Sequence, residues 1–267
     1  AYDLAGTNRI LAGTVDMGAY ERVPSTTLEC SFLADVTSVL TGSDVEFTAT
    51  VGGGNTNITD YVWDFGDGQT ASGASLGVIT NTYNAVGLYT VTLMVTNDAA
   101  QGASATNADY IAVWGSQVYV SGSSPSPAEP YHTWANAAHS LSDAVSGAPA
   151  GATIVVSNGT YNITDEIVVD KAITVISYGN GVYGGLDNAA LTIVDGPQNA
   201  GYSGPRIFSV THADAVLDGL TITDGYGRLQ IPAGGLGVYM TDGLLRNCII
   251  KENGALDGNT DHADGGG

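Results

Sequence analysis

The chain has 267 residues and a formal net charge of −20, from 27 Asp or Glu against 7 Lys or Arg. So few cations cannot build the basic stripe that nucleic acid or an anionic membrane surface requires, and no run of about 18 apolar residues is present to span a bilayer. A hydrophobic content of 43% suffices for packed cores, while 37 glycines with abundant Ser, Thr and Asn favour turns and strands over long helices, so an all-β protein is expected.

Residues 1–24 are Gly-punctuated, with short strands expected around Arg9–Leu11 and Gly18–Glu21 and too little apolar surface to bury a core alone. The run Pro24-Ser25-Thr26-Thr27 reads as a linker. Strands then follow closely. In DVEFTATV, Val45, Phe47, Ala49 and Val51 alternate with Glu46, Thr48 and Thr50, which is period two with one buried face. Tyr61, Trp63 and Phe65 share a face in YVWDFGDG, and Tyr89, Val91, Leu93 and Val95 share one in GLYTVTLMVTN; ADYIAVW closes the set. Turn clusters GGGNTN, GDGQ and TND separate these runs, and about ninety residues so arranged predict a β-sandwich.

The run Trp63-Asp64-Phe65-Gly66-Asp67-Gly68 resembles the WDFGDG signature of PKD domains (polycystic-kidney-disease-type repeats), and Asn81-Thr82-Tyr83 with Gly87-Leu88-Tyr89-Thr90-Val91 resembles the family's later motifs. The family usually has His where Asn81 stands. The resemblance implies an Ig-like sandwich over residues 25–115 with Trp63, Phe65, Tyr83 and Tyr89 as its aromatic signature. Trp63 would fill the space between two sheets, and Gly66-Asp67-Gly68 would make the turn that ends its strand. Asp64 and Asp67 suggest a cation site at first sight, but hydrogen bonds to the turn backbone account for them more simply.

SGSSPSPAEP, 121–130, is a second linker-like stretch. After it Trp134, Ala137, Ala138, Leu141, Ala144 and Val145 recur three and four apart, which predicts one amphipathic helix with Thr133 as N-cap, ended by Gly147 and Pro149. Short apolar bursts separated by Gly, Asn and Asp follow. Offset by 28, Leu217, Leu220 and Ile222 align with Leu245, Cys248 and Ile250, Val210 with Val238, and Asp224-Gly225 with Glu252-Asn253. Short strands repeating at 20–30 residues predict stacked solenoid rungs, and Cys248 in such a row is a core residue.

The stretches YVSGSS, PYHTWANAAHSLSDAV and GATIVVSNGTYNI resemble the start of secreted right-handed parallel β-helix proteins of the pectin-lyase-like superfamily. The resemblance implies a β-helix over 116–267 whose first rung is shielded by a short capping helix carrying Trp134, Leu141 and Val145. DLAGTNRI and GTVDMGAYE resemble the closing motif of such units in large bacterial surface proteins, so residues 1–24 are expected to be the end piece of a preceding unit and its linker, and the chain a segment of a longer polypeptide.

Cys30 and Cys248 are expected to be unpaired small hydrophobes rather than a bridge. Parallel β-helices host polysaccharide lyases and glycosidases, yet neither a carboxylate pair nor an Arg or Lys base stands in a recognisable catalytic motif. Asn259-Thr260-Asp261 alone matches the first motif of polygalacturonases. His132 and His139 lack a third ligand and predict no zinc. Asp257, Asp261 and Asp264 around His262 form an oxygen-rich cluster that would suit Ca2+, although a solvated loop explains it more simply. No P-loop, CxxC pair or GxSxG elbow is present, so no other cofactor is expected. The expected function is that of an extracellular structural or adhesive module contacting polysaccharide or neighbouring copies, with no nucleic acid and no membrane insertion; the alternative is the front of a polysaccharide-degrading β-helix with an accessory PKD domain.

Overall fold

The computed structural model describes residues 10–11, 14–15, 27–54, 57–197, 205–227, 235–256 and 262–264. The protein is all-β. A hairpin, β1 (Ile10–Leu11) and β2 (Thr14–Val15), comes first, and the strand expected at Gly18–Glu21 lies outside the described residues. Next come β3 (Glu29–Ala34), β4 (Ser38–Leu40), β5 (Ser43–Gly52), β6 (Ile58–Asp64), β7 (Thr70–Gly73), β8 (Val78–Tyr83), β9 (Gly87–Asn97) and β10 (Gly102–Trp114). They form one sheet ordered β4-β10-β9-β6-β7 and a second ordered β3-β5-β8. Two compact units are formed: Ala1–Asp35, Val45–Asn81 and Thr90–Ala108 make the first, and Val36–Asp44, Thr82–Tyr89 and Asp109–Gly267 the second.

The first unit is held by aromatic packing. Trp63 on β6 is fully buried, 5.3 Å from Phe32 on β3 and 5.8 Å from Phe47 on β5, with Phe65 stacked on it at 6.0 Å. The alternation read in the sequence holds: Val45 and Phe47, then Val91, Leu93 and Val95, point inward and are buried.

The second unit continues through β11 (Gln117–Val120), α1 (Leu141–Gly147), β12 (Thr153–Ser157), β13 (Gly159–Asn162), β14 (Ile167–Val169), β15 (Thr174–Gly179), β16 (Val182–Tyr183), α2 (Leu186–Ala189), β17 (Thr192–Asp195), β18 (Phe208–Val210), β19 (Val216–Asp218), β20 (Thr221–Thr223), β21 (Tyr226–Gly227), β22 (Val238–Met240), β23 (Leu244–Arg246), β24 (Ile249–Lys251), β25 (Gly254–Leu256) and β26 (His262–Asp264). From β12 the chain visits three sheets in a fixed rotation, β11-β12-β15-β19-β23, β13-β17-β20-β24 and β14-β18-β22, and every pairing along these paths is parallel. Rows of like residues result: Val118, Ile154, Val175, Leu217 and Leu245 are successive register partners, as are Tyr161, Val194, Ile222 and Ile250. Aliphatic rows of this kind bury apolar area worth about 25 cal/mol per Å².

Leu217 pairs with Leu245 and Ile222 with Ile250, as the offset of 28 predicts, but Val210 pairs with Met240 and it is Phe208 that meets Val238. The turn from Thr211 to Ala215 is two residues longer than the turn from Thr241 to Gly243, and this shifts the register between the sheets. The corners recur as well: Gly219 and Asn247 have φ of +73° and +52°, and Asp224 and Glu252 both have φ of +56°.

The single helix expected from Thr133 onward is not formed. Trp134–Asn136 is an isolated 3-10 turn, and α1 begins only at Leu141, where Ser140 accepts the Asp143 amide as N-cap. Between them Ala137 is extended (ψ 145°) and Ala138 bridges Val120 in parallel. Backbone pairing with β11 therefore overrides the three-and-four spacing. Thr133 caps the short turn rather than the helix, and Trp134 is 38% exposed, whereas Leu141 and Val145 are buried.

Candidate functional site

Three local structures bring four aromatic rings together on the outward side of the β11-β12-β15 sheet. On β11, Gln117 and Tyr119 alternate with the inward Val118 and Val120. The segment bearing Trp134 is fastened to that strand at both ends, because the Tyr119 amide donates to the Tyr131 carbonyl at 2.8 Å and the Ala138 amide donates to the Tyr119 carbonyl at 2.9 Å. Within it Thr133 and Asn136 cap each other, the Thr133 amide donating to Asn136 Oδ1 at 2.8 Å and the Asn136 amide to Thr133 Oγ1 at 3.3 Å. Beyond β15, Asn180 and Gly181 have φ of +52° and +79° and make the two-residue turn that sets Tyr183 opposite Tyr178.

The rings follow one another. Tyr119 and Trp134 have centroids 4.6 Å apart, Trp134 stacks on Tyr178 at 5.5 Å with 27° between planes, and Tyr178 lies 4.8 Å from Tyr183. Val155 sits between them on β12, register partner of Tyr119, and is fully buried although it alternates away from the core. Tyr183 remains 47% exposed. Gln117 joins the two ends: its Oε1 accepts from the Tyr119 hydroxyl at 2.8 Å, and its Nε2 donates to the Tyr183 oxygen at 3.3 Å. Burial raises the Tyr119 phenol above its ordinary pKa, and the nearby Tyr183 and Tyr178 hydroxyls add to the shift. The result is a fixed aromatic surface edged by an amide and hydroxyls, a composition suited to ring-shaped polar ligands.

The signature residues of the sandwich serve its turn. The Trp63 indole donates to the Leu76 carbonyl at 2.9 Å. Asp64 Oδ1 accepts the Gly66 amide and Asp67 Oδ1 the Gln69 amide, each at 2.9 Å, while Asn81 Nδ2 donates to Asp67 Oδ2 at 2.9 Å. Gly66 (φ +79°) passes so close to Thr90 that a Cβ there would overlap its carbonyl, whereas Gly68 (φ +90°) faces open space. Tyr83 is buried with Tyr89 at 4.9 Å, and the Tyr89 hydroxyl donates to the Ala85 carbonyl at 2.8 Å.

A cleft of about 450 Å³ between α1 and β14 is lined by Ser142, Ser146, Glu166, Asp170 and Lys171 among others. Two of its charged groups are engaged. Lys171 Nζ donates to the Ser146 and Ala148 carbonyls at 2.9 and 2.5 Å, closing the C-terminal end of α1, and Glu166 pairs with Arg206 at 3.1 Å. Asp218, buried, accepts from Arg246 Nε and Asn247 Nδ2 at 2.8 Å each. Asn253, also buried, accepts the Gly225 amide at 2.7 Å and donates to the Ile222 and Lys251 carbonyls. Both tie one strand circuit to the next.

Asp257 and Asp261 lie outside the described residues, as does the run Asn259-Thr260-Asp261; Asp264 falls in β26. Among the described residues no group of three or more His, Cys, Asp or Glu is placed to hold a metal ion, and no helix is long and apolar enough to cross a membrane. Cys30 and Cys248 are free and half-buried.

The PKD domain family model matches residues 32–113. Among solved structures, the chain is similar to the PKD1 domain of the Vibrio cholerae metalloprotease PrtV, at 30% identity over 32% of this chain and 98% of that one, with a TM-score of 0.27. It is similar to the PKD1 domain of Vibrio anguillarum Epp at 25% identity over 33% and 95% of the two chains, with a TM-score of 0.28. It is also similar to a structure of carbohydrate-binding modules from the β-sandwich superfamily, at 29% identity over 34% of this chain and 36% of that one, with a TM-score of 0.32. No curated protein sequence matches the chain.

Proposed function

We propose, from the premise that residues 32–113 belong to the PKD-domain family, that this chain is an extracellular structural and adhesive module of a larger secreted or surface protein. In this reading the sandwich precedes a segment of right-handed parallel β-helix, with α1 as its cap. The observation that carries it is the register of the second unit: each of three sheets takes one strand per circuit, so that Val118, Ile154, Val175, Leu217 and Leu245 form one continuous row. Polar side chains that such stacking buries, Asp218 and Asn253, connect circuit to circuit, so these two serve the stack.

The partner this reading favours is polysaccharide. The test is to incubate the purified chain with pectin, polygalacturonate, alginate and neutral glucans and to measure new reducing ends and ultraviolet-absorbing unsaturated products. The expected result is none above a heat-treated control. Turnover abolished by Glu166→Gln or Asp170→Asn would replace this reading with the enzymatic one.

A further inference from the structure

We propose that the aromatic surface formed by Tyr119, Trp134, Tyr178 and Tyr183, with Gln117 at its edge, is a binding site for an uncharged polysaccharide, an inference that rests on the adhesive reading above. Three observations carry it. First, the surface is built in advance: Trp134 is fastened on both sides to β11 and Tyr178 and Tyr183 are fixed by a tight hairpin, so little conformational entropy is lost when a ligand docks. Tyr and Trp supply large contact area with few rotatable bonds. Second, its chemistry is mixed in the way a sugar requires. The negative faces of aromatic rings attract the C–H groups on a pyranose face, while Gln117, bonded to the Tyr119 and Tyr183 hydroxyls, has a second amide hydrogen and Tyr183 its own hydroxyl proton to offer sugar hydroxyls. Third, charge selects among sugars. Each of the four described cations is already engaged: Lys171 with helix carbonyls, Arg206 with Glu166, Arg246 with Asp218 and Lys251 with Glu252. The whole chain carries a net charge of −20, and among the described residues no cation is left over for uronate or sulfate groups, which would be repelled.

The experiment is affinity electrophoresis of the whole chain through native gels cast with galactomannan, xyloglucan or hydroxyethylcellulose, and with polygalacturonate or alginate, followed by titration of tryptophan fluorescence with hexasaccharides of the retarding polymer. Retardation is expected in at least one neutral gel and in neither anionic gel, with affinity little changed by 0.5 M NaCl. Trp134→Ala and Tyr178→Ala should each weaken binding roughly tenfold or more. Tyr183→Ala, at the exposed rim, should weaken it severalfold with no change in melting temperature, which keeps the test valid if Trp134→Ala fails to fold. Met94→Ala, on the sandwich, should bind as wild type. Absence of retardation in every neutral gel, salt-sensitive binding to the anionic ones, or binding undiminished in Tyr183→Ala and Tyr178→Ala would overturn the proposal. Such a failure would leave the structural reading standing, because that reading is decided by turnover.

Discussion

Arg246 donates through Nε to Asp218 at 2.8 Å across 28 residues of chain, and the two are register partners on adjacent parallel strands. The pair is asymmetric: the Asp218 side chain is 6% exposed and that of Arg246 53%. Asp218→Ala frees a guanidinium that water can solvate, whereas Arg246→Ala leaves a buried carboxylate with fewer donors. Asp218→Ala should therefore lower stability by about 1–2 kcal/mol and Arg246→Ala by as much or more, up to about 3 kcal/mol. Urea unfolding of the two variants checks this; a milder loss for Arg246→Ala would contradict it.

Gly66 and Gly68 make a second test within one turn. Both have positive φ, so alanine strains either by about 1 kcal/mol, but only Gly66 also abuts Thr90. Gly66→Ala should lower the melting temperature of the sandwich several times more than Gly68→Ala. Calorimetry giving equal shifts would mean that the Thr90 contact is not what fixes this turn.

Position within an aliphatic row should set the cost of a truncation. Leu217 is fully buried between Val175 and Leu245, while Leu245 is only half-buried. Leu217→Ala is expected to cost about 3–4 kcal/mol and Leu245→Ala less than about 2 kcal/mol, since the second site can relax into solvent. Denaturant midpoints of the two variants measure the difference.

The Tyr119 phenol, raised by burial and by Tyr183 and Tyr178, keeps its proton longer in the folded chain than in the unfolded one. The folded state then binds more protons at alkaline pH. The associated stability is complete below the ordinary tyrosine value of about 10 and is lost as pH rises through the higher folded value. Burial raises Tyr131 and Tyr161 as well, so absorbance titration at 295 nm should show a late phase that loses one tyrosine's amplitude in Tyr119→Phe and moves to the ordinary midpoint in urea. Loss of an ordinary-midpoint tyrosine in Tyr119→Phe would show the phenol is not shielded.

The sandwich strands were legible because each has one buried face: Val45 and Phe47, like Val91, Leu93 and Val95, show it as strict alternation. The 28-residue repeat was legible because Leu217 and Leu245 stand at equal distances from like corners, and it slipped at Val210, where one turn is longer. The helix reading failed at Ala137 and Ala138, since residues spaced three and four apart can also be the backbone side of a β-bridge, and nothing local reveals that Val120 is the partner. The aromatic surface is hidden from local sequence patterns for a related reason. Its rings come from three separated segments, and the one local clue was the Asn180-Gly181 pair between Tyr178 and Tyr183, a hairpin signal.

The recurring left-handed corners carry a consequence for how such a chain can change. Gly219 and Asn247 share one backbone conformation, and so do Asp224 and Glu252. Excising residues 219–246 would join Asp218 directly to Asn247, with a corner of the same hand at the junction and Ile249 and Ile250 brought opposite Ile193 and Val194, where Thr221 and Ile222 now stand. The exchange is local to these corners: register partners stand 21 residues apart from Ile154 to Val175 and 42 from Val175 to Leu217, so no cut of one fixed length serves the earlier strands.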